Sequence, residues 1–322
     1  VQLLWLAFLL WAGAEFAAYY RQVVSGAPVT ATRPPAVEAF LPISALVALK
    51  RFLLTGLWDR VHPAGLAILV AAILMSLSAR KSFCSWLCPV GTISRALERL
   101  GKATLWRRRK ADTVVPRWAD LPLSSLKYLL LAFFAWAILW NMALPDVEGF
   151  LEGSYNRAVD AKMLLFFLEP SRFALGTLAF LVVLSLVVKN AWCRWLCPYG
   201  ALLGLFSWLS PVRVVRDASS CIDCRACTRG CPSEIAVHGK ERVLTPECTG
   251  CLSCVAACPV EGCLTVTGRG KKGWPPWVVP AAGLGTLALV WAAARLTGNW
   301  ETALSPAELA EAYRQAWGLA HP

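Results

Sequence analysis

Two runs of cysteine constrain this chain more than any other feature. Cys221-x2-Cys224-x2-Cys227-x3-Cys231-Pro232 is followed by Cys248-x2-Cys251-x2-Cys254-x3-Cys258-Pro259, each cysteine of the second run lying 27 residues after its counterpart. This is the bacterial-type spacing for [4Fe–4S] ligation. Three thiolates on a tight loop wrap one cubane, and the fourth, on the turn before proline, points away toward the other. The expected ligand sets therefore cross. Cys221, Cys224, Cys227 and Cys258 hold cluster 1, and Cys248, Cys251, Cys254 and Cys231 hold cluster 2. Structural zinc also takes four thiolates, but zinc motifs rarely repeat this spacing with its proline. The surrounding insert is too small to bury a sizeable core, so the clusters should supply much of its folding energy. Ile222, Ile235, Val243, Leu244, Val255 and Val266 are expected to pack around them. Cys263, just past the second run, reads as a small buried apolar residue rather than a ligand.

The rest of the chain has the composition of a membrane protein. Of 322 residues, 57% are hydrophobic and only 16% charged, against about 25% charged in soluble domains. Five stretches reach or approach the roughly 20 residues a helix needs to cross a hydrocarbon core. They lie at Val1 to Tyr20, Val61 to Ala79, Leu126 to Leu144, Phe173 to Val188 and Trp277 to Leu296. Val37 to Trp58 carries Lys50–Arg51 at its middle, an expensive pair for a spanning helix, so it reads as an interfacial or re-entrant helix. The expected fold is an α-helical polytopic membrane protein with an inserted bacterial 2[4Fe–4S] ferredoxin-like domain. The bundle covers residues 1–211, the ferredoxin-like domain 212–270, the fifth span 271–298 and a short periplasmic tail 299–322. In that tail Ser305, Pro306 and Glu308 have the form of a capped helix start.

The formal net charge of +12 reads as topology and not as nucleic-acid binding, because its position follows the loops. Arg80 to Trp118 holds ten Lys and Arg and Lys189 to Lys272 holds eleven, whereas Arg21 to Arg60 holds five and Arg157 to Arg172 three. The positive-inside rule then puts both cysteine-bearing regions on the cytoplasmic side of a bacterial inner membrane and the C-terminus in the periplasm. The thirteen cysteines accordingly belong to a reducing compartment and to metal ligation, not to a disulfide scaffold.

An internal repeat adds four more thiols. Phe83-Cys84-Ser85-Trp86-Leu87-Cys88-Pro89-Val90-Gly91 matches Trp192-Cys193-Arg194-Trp195-Leu196-Cys197-Pro198-Tyr199-Gly200 at an offset of 109 residues. Each copy follows an apolar span and a basic stop, as in a parallel structural repeat. On a helix or its last turn, cysteines four apart share a face. If the two copies pack together, Cys84, Cys88, Cys193 and Cys197 converge. A third iron–sulfur cluster, a redox-cycling or copper-handling thiol site, and a purely structural shaping of two helix ends all fit this pattern. Trp86 and Trp195 suit interfacial anchors as well as cofactor neighbours. His62 reads as a capping or interfacial residue before a quinone or haem contact. Glu15, inside the first span, is a site for proton or quinone chemistry or a snorkelling side chain. His238 and His321 read as surface residues, and Arg107–Arg108–Arg109–Lys110 as a topology signal.

Together the paired C-x3-C-P motifs and the two four-cysteine cassettes resemble a known superfamily. It includes the NapH-type membrane ferredoxins of periplasmic nitrate respiration, the membrane part of NosR-type proteins, and the CcoG/RdxA copper-handling proteins. The resemblance spans about Val37 to Leu296 and is closest in architecture to a stand-alone NapH-like subunit. It implies electron transfer among cytoplasmic-side clusters, the quinol pool and a periplasmic or membrane redox partner. Such partners would be separate chains of ferredoxin-like, flavoprotein or cytochrome c type. An assembly factor that reduces copper and a structural anchor for a reductase complex are the rival classes. The polar domain holds no acid, base or nucleophile set, so the chemistry is the cofactor's.

Overall fold

A long apolar segment in lipid can satisfy its backbone only internally, as a helix, and the computed structural model is mostly helical. It describes residues 1–104, 115–268 and 273–319. The basic run Arg107–Lys110, the pair Lys271–Lys272 and His321 lie outside these residues. Among the described residues, three helices are long and apolar enough to cross a membrane: Gln2–Ser25, Trp118–Asn141 and Val278–Leu296. The helices Val159–Leu168 and Arg172–Val187 meet at a 74° bend and make a fourth candidate if counted as one span. The expected second span is the apolar helix Pro63–Ala79, of 17 residues.

The chain divides into two compact units. Residues 6–71, 132–177 and 287–322 form one of them. Its stretch from Val37 to Trp58 becomes a 3₁₀ turn, Pro35–Phe40, and a helix, Pro42–Thr55, that stops at left-handed Gly56 (φ 72°). The charged pair in this helix is answered by partners. Lys50 Nζ donates to the carbonyls of Ile138 (2.9 Å), Leu139 (3.1 Å) and Met142. These lie at the π-helical end Trp136–Asn141, where terminal carbonyls lack helical donors. Buried Arg51 faces Glu152 at 3.9 Å.

The apolar core of this unit joins Phe16, Tyr19 and Val23 to Ala158, Ala161 and Leu165. Leu309, Ala312 and Tyr313 of the helix Pro306–Gln315 complete it. Ser305 and Glu308 close the capping box expected from the sequence, with Ser305 N–H donating to Glu308 Oε2 at 2.8 Å.

Beside that core lies a buried ionic network. Arg33 Nη2 sits 2.8 Å from both Glu38 Oε1 and Asp160 Oδ2. Tyr313 donates its hydroxyl to Asp160 at 2.7 Å, and Gly65 N–H donates to Glu38 at 2.9 Å. His62 is part of it and not interfacial. It is 2% exposed, with Nε2 2.6 Å from the Asn156 carbonyl and Nδ1 3.4 Å from Glu38. Burial alone would lower its pKa, but the hydrogen bond and charge of Glu38, aided by Asp160, raise it above the ordinary value. Glu15 accepts from Thr32 N–H at 3.0 Å and so ties down the loop that follows its helix.

Val1–Trp5, Ala72–Leu131 and Leu178–Thr286 form the other unit, which contains the ferredoxin-like insert. Strands β1 (Arg213–Arg216), β2 (Leu264–Thr267) and β3 (Gly273–Trp274) make an antiparallel sheet in that order. Arg213 pairs with Thr267 and Arg216 with Leu264, so strands flanking the two cassettes close the insert. Val212, Val214, Ile235, Val237, Val243, Leu264 and Val266 pack with Cys227 and Cys231 in its core, and Val255 packs at its edge. Ile222 and Leu244, expected in that core, are instead exposed. In extended chain successive side chains alternate, so burying Val243 turns Leu244 outward. Ile222 rides on the outer side of the first cassette loop.

Candidate functional site

The cassettes repeat in backbone as well as in sequence. Asp223 (φ 50°) and Arg225 (φ 59°) are left-handed in the first, and Gly250 (φ 66°) and Leu252 (φ 60°) take the matching places in the second. Such curled segments turn amide N–H groups toward an anion. The third cysteine of each run then sits on a short helix, Ala226–Arg229 or Ser253–Ala256. Cys231, Cys248, Cys251 and Cys254 line one cavity of about 370 Å³, walled by Val214, Ile235, Val237 and Val243. Cys221, Cys224, Cys227 and Cys258 line another of about 320 Å³, with Arg216, His238 and Cys263. Each cavity is thus lined by three cysteines of one run and the last cysteine of the other.

The donor chemistry fits a cubane. The Asp223 amide and the Arg216 guanidinium hold the Cys221 thiol pKa below its usual range. Burial pushes the Cys231 thiol up to about 12, and a bound metal would deprotonate it on coordination. His238, expected at the surface, is half-buried and held by Thr228 Oγ1 at 2.9 Å.

The two C-x3-C-P motifs fold alike, though not as single helices. After a left-handed residue, Arg80 (φ 62°) or Asn190 (φ 46°), each forms a π-helical turn, Phe83–Leu87 or Trp192–Leu196. The second cysteine is extended, Cys88 at φ −65°, ψ 120° and Cys197 at φ −77°, ψ 102°. It stands before a helix that opens on proline, Pro89–Thr104 or Pro198–Ser207. The four-residue spacing therefore spans a break between two helices, with the second thiol at a helix N-terminus; burial raises the pKa of Cys88 and of Cys197, and the helix-end amides oppose it. Gly200 N–H donates to Cys197 Sγ at 3.3 Å, and the amides of Val90 and Gly91 serve Cys88 in the same way. Gly91 has no alternative, because a Cβ there would lie 2.6 Å from the Cys84 carbonyl oxygen. Ring contact between Phe83 and Tyr199, with centroids 5.7 Å apart, joins the two copies. Cys84, Cys88, Cys193 and Cys197 come within electrostatic reach of one another. Burial pushes the Cys84 thiol up to about 12. Among the described residues no three His, Cys, Asp or Glu side chains gather tightly enough to hold a single metal ion.

Positive charge faces these four thiols. Lys81 and Lys127 are both buried, and each lies near Cys84 and Cys197. They share one carboxylate, Glu247 Oε2, at 3.6 and 2.5 Å, while Tyr128 donates to Oε1 at 2.7 Å. Burial would raise the Glu247 pKa, but the two ammonium groups pull it down to about 2. Two cations against one anion leave the pocket one positive charge in excess. Spacing alone does not single out this pair. Lys127 in an apolar span was its available signal, since an ionisable residue there marks a site by default. Lys81 and Glu247 look like ordinary loop residues until the fold pairs them.

Both hairpins also grip the cassettes. Ser85 donates to the Thr249 carbonyl at 2.7 Å, Trp86 to Gly250 at 3.4 Å and Arg80 to Val243 at 2.8 Å. From the second hairpin, Asn190 donates to Pro232 at 3.3 Å and Arg194 pairs with Glu234 at 3.1 Å. Trp195 is buried and donates to Asp120 at 2.8 Å. Trp86 and Trp195 are therefore both tied within the protein. The gripped loops carry Cys231 and Cys248, whereas Cys224 of the other set is exposed.

Comparison with known proteins agrees with this arrangement. A 4Fe-4S binding domain matches residues 61–112 and again 173–216, one match over each hairpin, and a 4Fe-4S dicluster domain matches 213–259. YccM of Escherichia coli (strain K12), named for electron transport, is 40% identical over 315 residues, spanning 96% of this chain and 87% of YccM. This chain belongs to the ferredoxin-type 4Fe–4S membrane proteins. Within the family, the methylamine utilization ferredoxin-type protein MauN of Methylorubrum extorquens is 30% identical over 72% of this chain and 77% of its own length. The ferredoxin-type protein NapH of Escherichia coli is 28% identical over 66% of this chain and 71% of its own. No solved structure matches. Like these relatives, the chain is a multi-pass membrane protein with iron–sulfur domains.

Proposed function

We propose that this chain is an electron conduit with three ligand sets in series. The Cys221 set stands at the exposed end, the Cys248 set next, and Cys84, Cys88, Cys193 and Cys197 hold a third cluster beside the membrane helices. One observation carries the reading. The four motif thiols converge against two buried lysines that share a single carboxylate, and such a pocket favours an anionic four-thiolate centre. When bound, each cluster accepts or releases one electron at a time.

The chain's own residues set the order. The hairpins anchor the loops bearing Cys231 and Cys248, and so draw that set toward the motif thiols. Val214, Ile235, Val237 and Val243 give its cavity an apolar wall. Exposed Cys224 leaves the other set open to a soluble partner chain. Lys and Arg placement supports a cytoplasmic position for both cysteine regions and a periplasmic C-terminus, with five spans in a bacterial inner membrane. Electrons would pass between that side and the quinol pool or a separate membrane or periplasmic redox subunit. Copper handling by the motif thiols is the competing reading.

A double variant tests the series. Wild type and Cys84→Ser with Cys193→Ser would be placed in lipid vesicles, reduced with dithionite and mixed with a short-chain ubiquinone. The cassette absorbance should bleach on reduction in both proteins and recover rapidly only in wild type. Equal recovery would remove the motif cysteines from the path. Copper bound by wild type and lost in the variant, with unchanged iron, would favour the metal-handling reading.

A further inference from the structure

The two cassette cavities differ in a way that their matching cysteine spacing hides. Charged or titratable side chains other than the cysteines are absent from the described lining of the Cys248-set cavity. Arg80 comes near it but directs its guanidinium at the carbonyls of Ser207, Val243 and Thr245. The Cys221-set cavity is lined by Arg216, Arg225 and His238, and by a fifth cysteine, Cys263. Arg225 is partly answered by Asp223 at 3.9 Å, and His238 by Thr228. Arg216 is directed at the Cys221 sulfur, and its Nε is buried with no hydrogen-bond partner.

Cys263 is 2% exposed and stands at the start of β2. Its backbone is fixed, since Asp217 N–H donates to the Cys263 carbonyl at 2.8 Å. Its thiol has three acceptors in reach: the Asp217 carbonyl at 3.6 Å and the sulfurs of Cys221 and Cys258. Once those sulfurs carry thiolate charge they are the stronger acceptors, because hydrogen bonds to ionised groups outweigh neutral ones. Hydrogen bonds to ligand sulfur, nearby positive charge and solvent exposure each stabilise the more negative, reduced form of a cluster and raise its potential. All three favour the Cys221 set.

We propose that Cys263 is a positioning residue that donates its S–H to the ligand sulfurs of the Cys221-set cluster. With Arg216, it makes that cluster the higher-potential member of the pair. An electron shared by the two cassettes then rests at the exposed end, and the apolar Cys248-set cavity is the uphill step toward the membrane thiols. This rests on the two-cluster reading above, so the test must separate failure of one from failure of the other.

The test is an EPR-monitored redox titration of anaerobically purified full-length protein, with iron counted on the same samples. Fewer than about eight irons per chain in wild type would sink the two-cluster reading itself. With the irons present, two reductive steps from the cassettes are expected beside that of the motif centre, which Cys84→Ser with Cys193→Ser removes. Cys224→Ser should displace the higher cassette step and so assign it to the exposed cavity. Cys263→Val and Arg216→Gln should each lower that step and leave the other in place, while Cys263→Ser, which keeps a donor, should restore it. Assignment of the higher step to the Cys248 set would overturn the proposal. So would a Cys263→Val protein with both steps unmoved, or one that has lost about four irons, since Cys263 would then be neutral or a ligand.

Discussion

Single residues carry much of the difference between two cassettes of identical spacing. Gly250 combines a left-handed φ of 66° with a close approach, since a Cβ there would lie 3.1 Å from the Ala79 carbonyl oxygen. A Gly250→Ala variant should lose about 1–2 kcal/mol and fill its Cys248-set cluster incompletely, read as lowered iron per chain. The matching Asp223 tolerates its φ on an open loop, and Asp223→Gly should keep full iron. His62 gives a pH signature. Its pKa is raised in the fold by Glu38 and Asp160, against burial and the nearby Arg33, with Asp59 also close by and the Asn156 carbonyl fixing the far ring nitrogen. Its protonated form therefore stabilises fully below about pH 6.5, the unfolded value, and the contribution is lost as pH rises through the raised folded value. Thermal unfolding of detergent-purified protein should show stability falling across that window, and His62→Gln should flatten it. A wild type that gains stability there, or a variant with the same slope, would contradict the assignment. None of this was legible in the sequence, where His62 has no spacing motif and the carbonyl that holds its ring lies 94 residues away.

At the scale of elements, spacing was a good guide where chemistry is local and a poor one where it is not. The two cysteine runs and the capped start at Ser305 are legible directly, because each depends on residues a few positions apart. The four-residue spacing of the motif cysteines suits a helix or its last turn, and proline with extended Cys88 and Cys197 makes each motif a break between two helices. The ionic pairs behind them escaped notice because Lys127 and Glu247 are 120 residues apart. Glu247→Gln would leave two buried ammonium groups without their carboxylate and should cost about 3–5 kcal/mol, seen as a lower unfolding temperature. Arg33→Met, which strands Glu38 and Asp160, should cost about the same. In contrast, Lys81→Met with Lys127→Met should weaken an anionic centre at the motif thiols and leave the cassettes loaded.

For the whole molecule, the sequence indicated a helical membrane protein carrying a dicluster insert, because long apolar runs and repeated cysteines leave few other folds. It did not show that the hairpins and the insert belong to one compact unit, since that depends on contacts such as Ser85 with Thr249 and Asn190 with Pro232. A conduit built this way needs a centre at Cys84, Cys88, Cys193 and Cys197. Iron and acid-labile sulfide, counted per chain on anaerobically purified protein, test that need most directly. Three clusters predict about twelve irons in wild type and about eight in Cys84→Ser with Cys193→Ser. About eight in both proteins would contradict the third centre and with it the path through the membrane thiols.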